Sequence, residues 1–258
     1  MFFETVGNIL ERYGSMFLDG TLVTLYISLL GTIIGLLIGL LIGIVRTIPL
    51  STSGEKNITP RFVLLKIVNF ILSAYIEIFR GTPMIVQATV IYFGLAEVAG
   101  IDLEPIPAGV FVISINTGAY LAEVVRGGIQ SVDISQFEGA KALGLSHWQA
   151  MLKVILPQTM RNIMPALGNE FIINIKDSAV LNVISVTELF FVTKTVKGVI
   201  YKTYEPFLIA ALIYLILTFT VSRILRLIEK KMAGKANFVL TSSNLSADDL
   251  MFMEGKEV

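Results

Sequence analysis

The 258-residue chain is 54% hydrophobic and 16% charged, with 20 Lys and Arg balancing 20 Asp and Glu. Soluble domains carry roughly a quarter charged residues, so this composition, with a mean hydropathy of +0.77, predicts an all-α integral membrane protein. Zero net charge offers no basic excess for nucleic acid; the absence of cysteine removes disulfides and thiolate metal sites, and a single histidine, His147, removes paired-His metal centres.

Residues 1–20 mix Phe3, Ile9, Leu10, Met16 and Phe17 with Glu4, Glu11, Arg12 and Asp19, an amphipathic lead-in at the membrane surface. Thr21 to Val45 carries no charge, and about 20 apolar residues suffice to span a bilayer. The stretch is too long for a cleaved signal, and no basic segment precedes it. Gly31, Gly35, Gly39 and Gly43 recur at every fourth position, so all four share one helix face that a neighbouring helix can approach closely.

A polar link with Arg46, Lys56 and Arg61 follows. Phe62 to Ala99 is too long for one crossing: as a single helix it would reach roughly 55 Å against a hydrocarbon core of about 30 Å. The break is expected at Gly81-Thr82-Pro83. Residues 62–79 then form a lead-in from the cytoplasmic surface, and 82–99 do most of the crossing. Arg80, Gly81 and Pro83 become candidate bend or gate residues, although an ordinary proline kink explains them without gating.

The link 100–107 holds Asp102 and Glu104 and no Lys or Arg. A third span runs from Ala108 to about Ile129, a fourth from about Pro165 to Ile184, and a fifth from Pro206 to Ser222. Residues 185–204 are a connection with Lys194, Lys197 and Lys202, and 236–258 form a polar cytoplasmic tail after the transmembrane body of 21–235. Lys and Arg cluster at 46–66, 126–161 and 223–235. These flanks share the cytoplasmic side if five transmembrane helices start with the N-terminus outside and finish with the C-terminus inside. The lysines at 194–202 run against that bias. Sequons at Asn57 and Asn244 then lie in cytoplasmic segments and read as coincidental.

Between the third and fourth spans lies a loop, 136–158, with its own helical signals. Glu138 to Leu143 suits a short helix, and Gly144 ends it by accepting positive φ. Ser146 can N-cap a second helix with Gln149 at the capping-box position. Trp148, Met151, Leu152 and Ile155 share one face, and Pro157 is expected to end the run. Such a helix-turn-helix suits the docking of a soluble partner, and equally a loop packed on the membrane ends of its own chain.

Polar groups inside spans are costly and are functional candidates for that reason. Glu170, Asn174 and Asp177 stand at i, i+4 and i+7 in the fourth span, Asn116, Tyr120 and Glu123 repeat that spacing in the third, and Gln87 is the main polar residue of the second. Together they can line a path in which a carboxylate holds an ammonium and amides hold an amide side chain. They can also pair with one another at helix contacts; Glu123 and Arg126, at i and i+3, are read as a structural ion pair.

Glu138-Gly139-Ala140, Gly144, Val154, Leu156 and Pro157 fall at the spacing of the EAA motif of ABC-importer permeases, with Gly139 where Ala is usual and Val154 where Ile is usual. "EIFRGTPMIVQ" (77–87), "AYLAEVVRGGIQSV" (119–132), "LPQTMRNIMPALGNEFI" (156–172) and "KDSAVLNVISVTEL" (176–189) narrow this further. Over roughly residues 18–230 the chain resembles the polar amino-acid permeases of the glutamine/histidine/arginine branch.

That resemblance implies a type I ABC importer permease fold, multi-pass in a bacterial plasma membrane. It implies a second permease chain, a homodimer being usual, a cytoplasmic ABC ATPase dimer, and an extracytoplasmic substrate-binding protein delivering a polar or basic amino acid, glutamine-like first. Glu138, Gly139, Ala140, Leu143, Gly144, Leu145 and Trp148 would then form the coupling helix seated in the ATPase. No GxxxxGK[ST] loop occurs in the chain, so ATP and Mg belong to that partner; the chain itself is no enzyme and needs no cofactor. The alternative is a stand-alone ion-coupled secondary amino-acid transporter, which needs no docking loop and commonly shows an inverted repeat of spans.

Overall fold

The computed structural model describes residues 2–48 and 60–232; the two sequons and the tail from Ala236 lie outside the described residues. The described chain is all helical: α1 (Phe2–Arg46), α2 (Pro60–Gly81), α3 (Met84–Ala99), α4 (Pro105–Gln130), α5 (Ile134–Ala142), α6 (His147–Ala150), α7 (Leu156–Asp177), α8 (Leu189–Ile200) and α9 (Tyr204–Met232). A π-helical turn (Met151–Ile155) joins α6 to α7, and a 3₁₀ segment (Ser178–Ile184) extends α7. Among these, α1, α2, α4 and α9 are long and apolar enough to cross a membrane; the rod 147–184 and α8, bent by 54° from each other, make a fifth span if the pair is counted as one.

The lead-in and first span form one unbroken helix of 45 residues, roughly 68 Å long at 1.5 Å per residue. Its N-terminal part is no free surface helix: Ile9 and Phe17 are buried against Leu189, Val192 and Val196 of α8 and Ile209 of α9. Farther along, the glycine face meets α4. A Cβ at Gly31, Gly35, Gly39 or Gly43 would lie 2.4–2.7 Å from Ile113, Thr117, Leu121 or Val125 respectively. Both sets of numbers rise together, so α1 and α4 run parallel, backbone close to backbone.

Parallel neighbours require the chain to return between them, and α2 with α3 supply that return. The break falls where the glycine and proline place it, with Pro83 extended (φ −65°, ψ 137°) ahead of α3. The division of labour differs from expectation. At 22 residues, or roughly 33 Å, α2 is the longer apolar piece, and α3 has only 16.

The remaining helices alternate. On α4 and α7, Gly128 faces Thr159 and Ile163, Thr117 meets Asn174, and Gly109 faces Leu181, an antiparallel order. Gly168 of α7 approaches Leu225 of α9, which runs back again. The N-terminus of α1 and the C-terminus of α9 therefore lie at opposite ends of the bundle. Leu37, Leu41, Leu215 and Phe219 remain exposed, surface that only lipid or another chain would bury.

Two further expectations are corrected here. Pro157 does not end the helical run. The π turn re-phases the hydrogen bonds, with the Leu156 N–H reaching the Met151 carbonyl, and Pro157 then falls at the start of α7, where a missing N–H is tolerated. Residues 185–204 are not a bare connection but contain α8. Glu188 caps it, its carboxylate accepting from the backbone N–H groups of Phe190 (2.8 Å) and Phe191 (2.7 Å) and from the Tyr214 hydroxyl (3.0 Å).

Candidate functional site

The loop predicted between the third and fourth spans is a helical hairpin, α5 to α6, at the end of the bundle where α1 and α4 finish. Asp133 caps α5, accepting from the Ser135 N–H at 2.8 Å; hydrogen bonds from Ser135 hold its carboxyl below the usual range. At the far end Gly144 has φ +80°. Leu145 N–H returns to the Ala140 carbonyl (3.1 Å) and Gly144 N–H to that of Lys141 (2.9 Å), the paired closure of a Schellman turn. Ser146 and Gln149 form the reciprocal capping box, at 2.9 and 3.3 Å. The turn is thus closed by local hydrogen bonds at each step.

Its predicted apolar face is divided between two uses. Met151 and Ile155 are buried with Ala140, whereas Leu143 (84% exposed), Trp148 (52%) and Leu152 (56%) project outward alongside exposed Glu138 and Gly139; Leu145 is half-buried. A Cβ at Gly139 would meet no described residue within 4 Å, so no contact among the described residues forbids the alanine usual in the EAA motif. Burial, with Lys141 and Arg61 nearby, holds the His147 imidazole below its ordinary pKa.

Inside the bundle the polar residues form separate groups. The Gln87 amide nitrogen donates to the Phe79 and Thr82 carbonyls and to Thr82 Oγ1, each at 2.9 Å, and its oxygen accepts from Asn116 Nδ2 at 2.9 Å. These bonds satisfy carbonyls left open where α2 breaks. Asn174 is buried between three helices, donating to Thr32 Oγ1 (2.8 Å) and Thr117 Oγ1 (2.9 Å), while its backbone carbonyl accepts from Ser28 Oγ (3.0 Å). The expected pair of Glu123 and Arg126 is present at 2.7 Å, and Arg46 of α1 joins it on the other carboxylate oxygen. Glu170 is half-buried and Asp177 exposed; neither side chain makes a hydrogen bond or contact ion pair with a described residue, although Lys176 acts electrostatically on Asp177. At the break, Arg80, Gly81 and Pro83 are exposed, and the Arg80 guanidinium lies 5.3 Å from the Tyr120 ring centre.

Sequence spacing missed the hydroxyl partners. Thr32 sits one residue from Gly31 on an apolar helix, and Thr117 looks like an ordinary helix threonine. Arg46 carried a usable signal, as the first basic residue after an uncharged span.

Comparison with known proteins agrees with this architecture. Residues 58–234 match the family described as binding-protein-dependent transport system inner membrane component. The glutamine transport system permease protein GlnP of Escherichia coli K12 is 38% identical over 218 residues, covering 84% of this chain and 93% of that one. A solved amino acid ABC transporter with histidines superposes with a TM-score of 0.74 at 38% identity, over 90% of this chain and 98% of the other. The MetNI methionine ABC transporter, at 18% identity, shares the fold with a TM-score of 0.70, over 86% and 98%. On these matches, the chain belongs to the family of inner-membrane permease components of binding-protein-dependent ABC transport systems.

Proposed function

We propose that the permease translocates a polar amino acid, glutamine in the first instance, as one of two identical subunits, each crossing the membrane five times from an outside N-terminus to an inside C-terminus. As a binding-protein-dependent permease it works with an ATPase and a binding protein and is not itself the catalyst. The five crossings are supported by the alternation of α1, α2–α3, α4, α7 and α9, and the orientation by Lys and Arg at the hairpin end.

The observation that carries the reading is the hairpin: locally capped, anchored by Met151 and Ile155, and presenting Leu143, Trp148 and Leu152 to solvent. Such exposed apolar groups on a locally closed turn suit a groove in a soluble subunit. Closure of the ATPases on nucleotide would push the hairpins, and the continuous rod from α6 through α7 would carry that movement into the bundle. The glutamine assignment rests on E. coli GlnP, which is named for glutamine.

Glu170 and Asp177 would hold the ammonium of the passing amino acid, because neither carboxylate is hydrogen-bonded to or in contact ion pairing with a described residue. Gln87, Asn116 and Asn174 already bond neighbouring helices, so they would shape the path. Arg80, Gly81 and Pro83 would let it bend. The test is reconstitution of the permease with its ATPase and binding protein, measuring ATP hydrolysis across an amino-acid panel. Glutamine is expected to stimulate most; uptake that persists without the ATPase would sink the proposal.

A further inference from the structure

A cavity of ≈ 1120 Å³ lies between the C-terminal ends of α1 and α4, the flank of α2 and the inner side of the hairpin. Its lining combines polar groups, Arg46, Arg126, Asn69, Ser73, Ser131 and Asp133 among them, with the apolar side chains of Ile129, Ile134, Phe137, Met151 and Ile155. We propose that this cavity is a binding site for an anionic phospholipid of the cytoplasmic leaflet, its phosphate against Arg46 and Arg126 and its glycerol and upper acyl chains against the apolar wall.

The charge count favours an anion. Two guanidiniums share one carboxylate, Glu123, whose two oxygens are divided between them. Each guanidinium has five N–H donors. Arg46 uses donors on Glu123 and Ser73, and Arg126 uses donors on Glu123 and Gln130. About half of the donors therefore have no partner among the described residues. The other charged groups nearby do not reverse this balance. Asp133 lines the cavity and keeps its negative charge while capping α5, so with Glu123 it balances the two guanidiniums, and the positive excess comes from the cations beside the cavity. Lys141 and Arg61, which act on His147, add positive charge.

The apolar wall and the setting select a lipid over a small soluble anion. A free phosphate would gain nothing from Ile129, Phe137 or Ile155. The cavity is slightly larger than the usual range of roughly 300–1,000 Å³ for small-molecule sites, which leaves room for a headgroup and part of its chains. Beside Asn69 and Ser73, α2 presents Leu64, Ile67, Phe70 and Ile71 exposed, the surface on which the chains would continue into the bilayer. Basic pockets between transmembrane helices on the cytoplasmic side suit anionic headgroups.

The occupant would touch the hairpin and three bundle helices at once, and so would link coupling to lipid composition. The experiment uses the purified permease–ATPase complex and native mass spectrometry, with phosphatidylglycerol and phosphatidylcholine as probes. Wild type should retain phosphatidylglycerol about tenfold more than phosphatidylcholine. Arg126→Gln should lose that preference, the Arg46–Glu123 pair remaining to hold the fold. Asn69→Trp, which keeps every charge but fills the cavity, should reduce retention of both lipids. ATPase co-purification should be unchanged in both variants, and in Arg126→Gln the melting midpoint should fall by no more than a surface ion pair is worth. Equal retention of the two lipids by wild type, unchanged retention by Asn69→Trp, or displacement of the lipid by inorganic phosphate alone would overturn the proposal.

Discussion

Replacing Gly39 by alanine tests the α1–α4 seam with a single methyl group. Its carbon would lie 2.7 Å from Leu121 Cβ, 2.9 Å from the Leu121 carbonyl carbon and 3.0 Å from the Ala122 nitrogen. Carbon atoms pack comfortably from about 3.5 Å, so the helices must part by roughly 0.6–0.8 Å. Two of the three obstacles are backbone and cannot rotate away. Overpacking of this kind costs about 1–3 kcal/mol. Alanine returns about 0.5–1 kcal/mol of helix propensity over glycine. A net loss of about 1–2 kcal/mol is expected. Gly14→Ala provides the control within the same helix, because nothing lies within 4 Å of its added methyl; it should be neutral or slightly stabilising. The assay is the thermal or denaturant midpoint of the detergent-solubilised permease. Equal shifts for Gly39→Ala and Gly14→Ala would refute the close-packing argument.

Three further outcomes are expected. Gly144→Val forces a β-branched residue into φ +80°, a strain of about 1–3 kcal/mol; membrane insertion should survive while ATP hydrolysis loses its link to uptake, read as ATP consumed per amino acid transported, and a normal ratio counts against the docking role. Asn174→Leu removes bonds to Thr32 and Thr117; with interhelical hydrogen bonds in membranes averaging about 0.6 kcal/mol and reaching about 1.7, stability should fall by about 1–2 kcal/mol, and a variant that melts like wild type contradicts the tie. His147 has a folded pKa below its ordinary value of about 6.5, so its folded-state contribution is complete above that value and is lost as pH falls through the lowered one; coupling should weaken in acid, and His147→Gln should flatten that pH profile.

Much of the architecture was readable because membrane insertion leaves a long, uncharged signature, and because caps are local chemistry. The Ser146–Gln149 box, the Gly144 turn and the break at Pro83 each depend on a few adjacent residues, and each appears where its residues place it. The spacing of Gly31 to Gly43 likewise announced a close neighbour, though not that the neighbour would be α4 or run parallel. What failed depended on distant partners or on backbone re-phasing. Pro157 was expected to end a helix because the π turn that accommodates it has no composition of its own. α8 was hidden because its cap, Glu188, takes its meaning from burial beside Tyr214. Asn174 was legible as a polar residue in a span, but its spacing could not reveal Thr32 and Thr117, which lie far away in sequence.

The glycine seam also constrains how this permease can move. Four contacts with scarcely a methyl's clearance leave α1 and α4 no register to slide into, and the bond from Arg46 to Glu123 fastens their hairpin ends. The two helices would then form a stator, with the middle of α7 tied to both by Asn174. Under the proposed coupling, the rod from α6 into the start of α7 would be the arm that moves, with its π turn placed where a shaft leaves a crank. Selection on α1 would then act against size more than polarity, since a larger side chain in the seam would loosen the fixed post on which the stroke pushes.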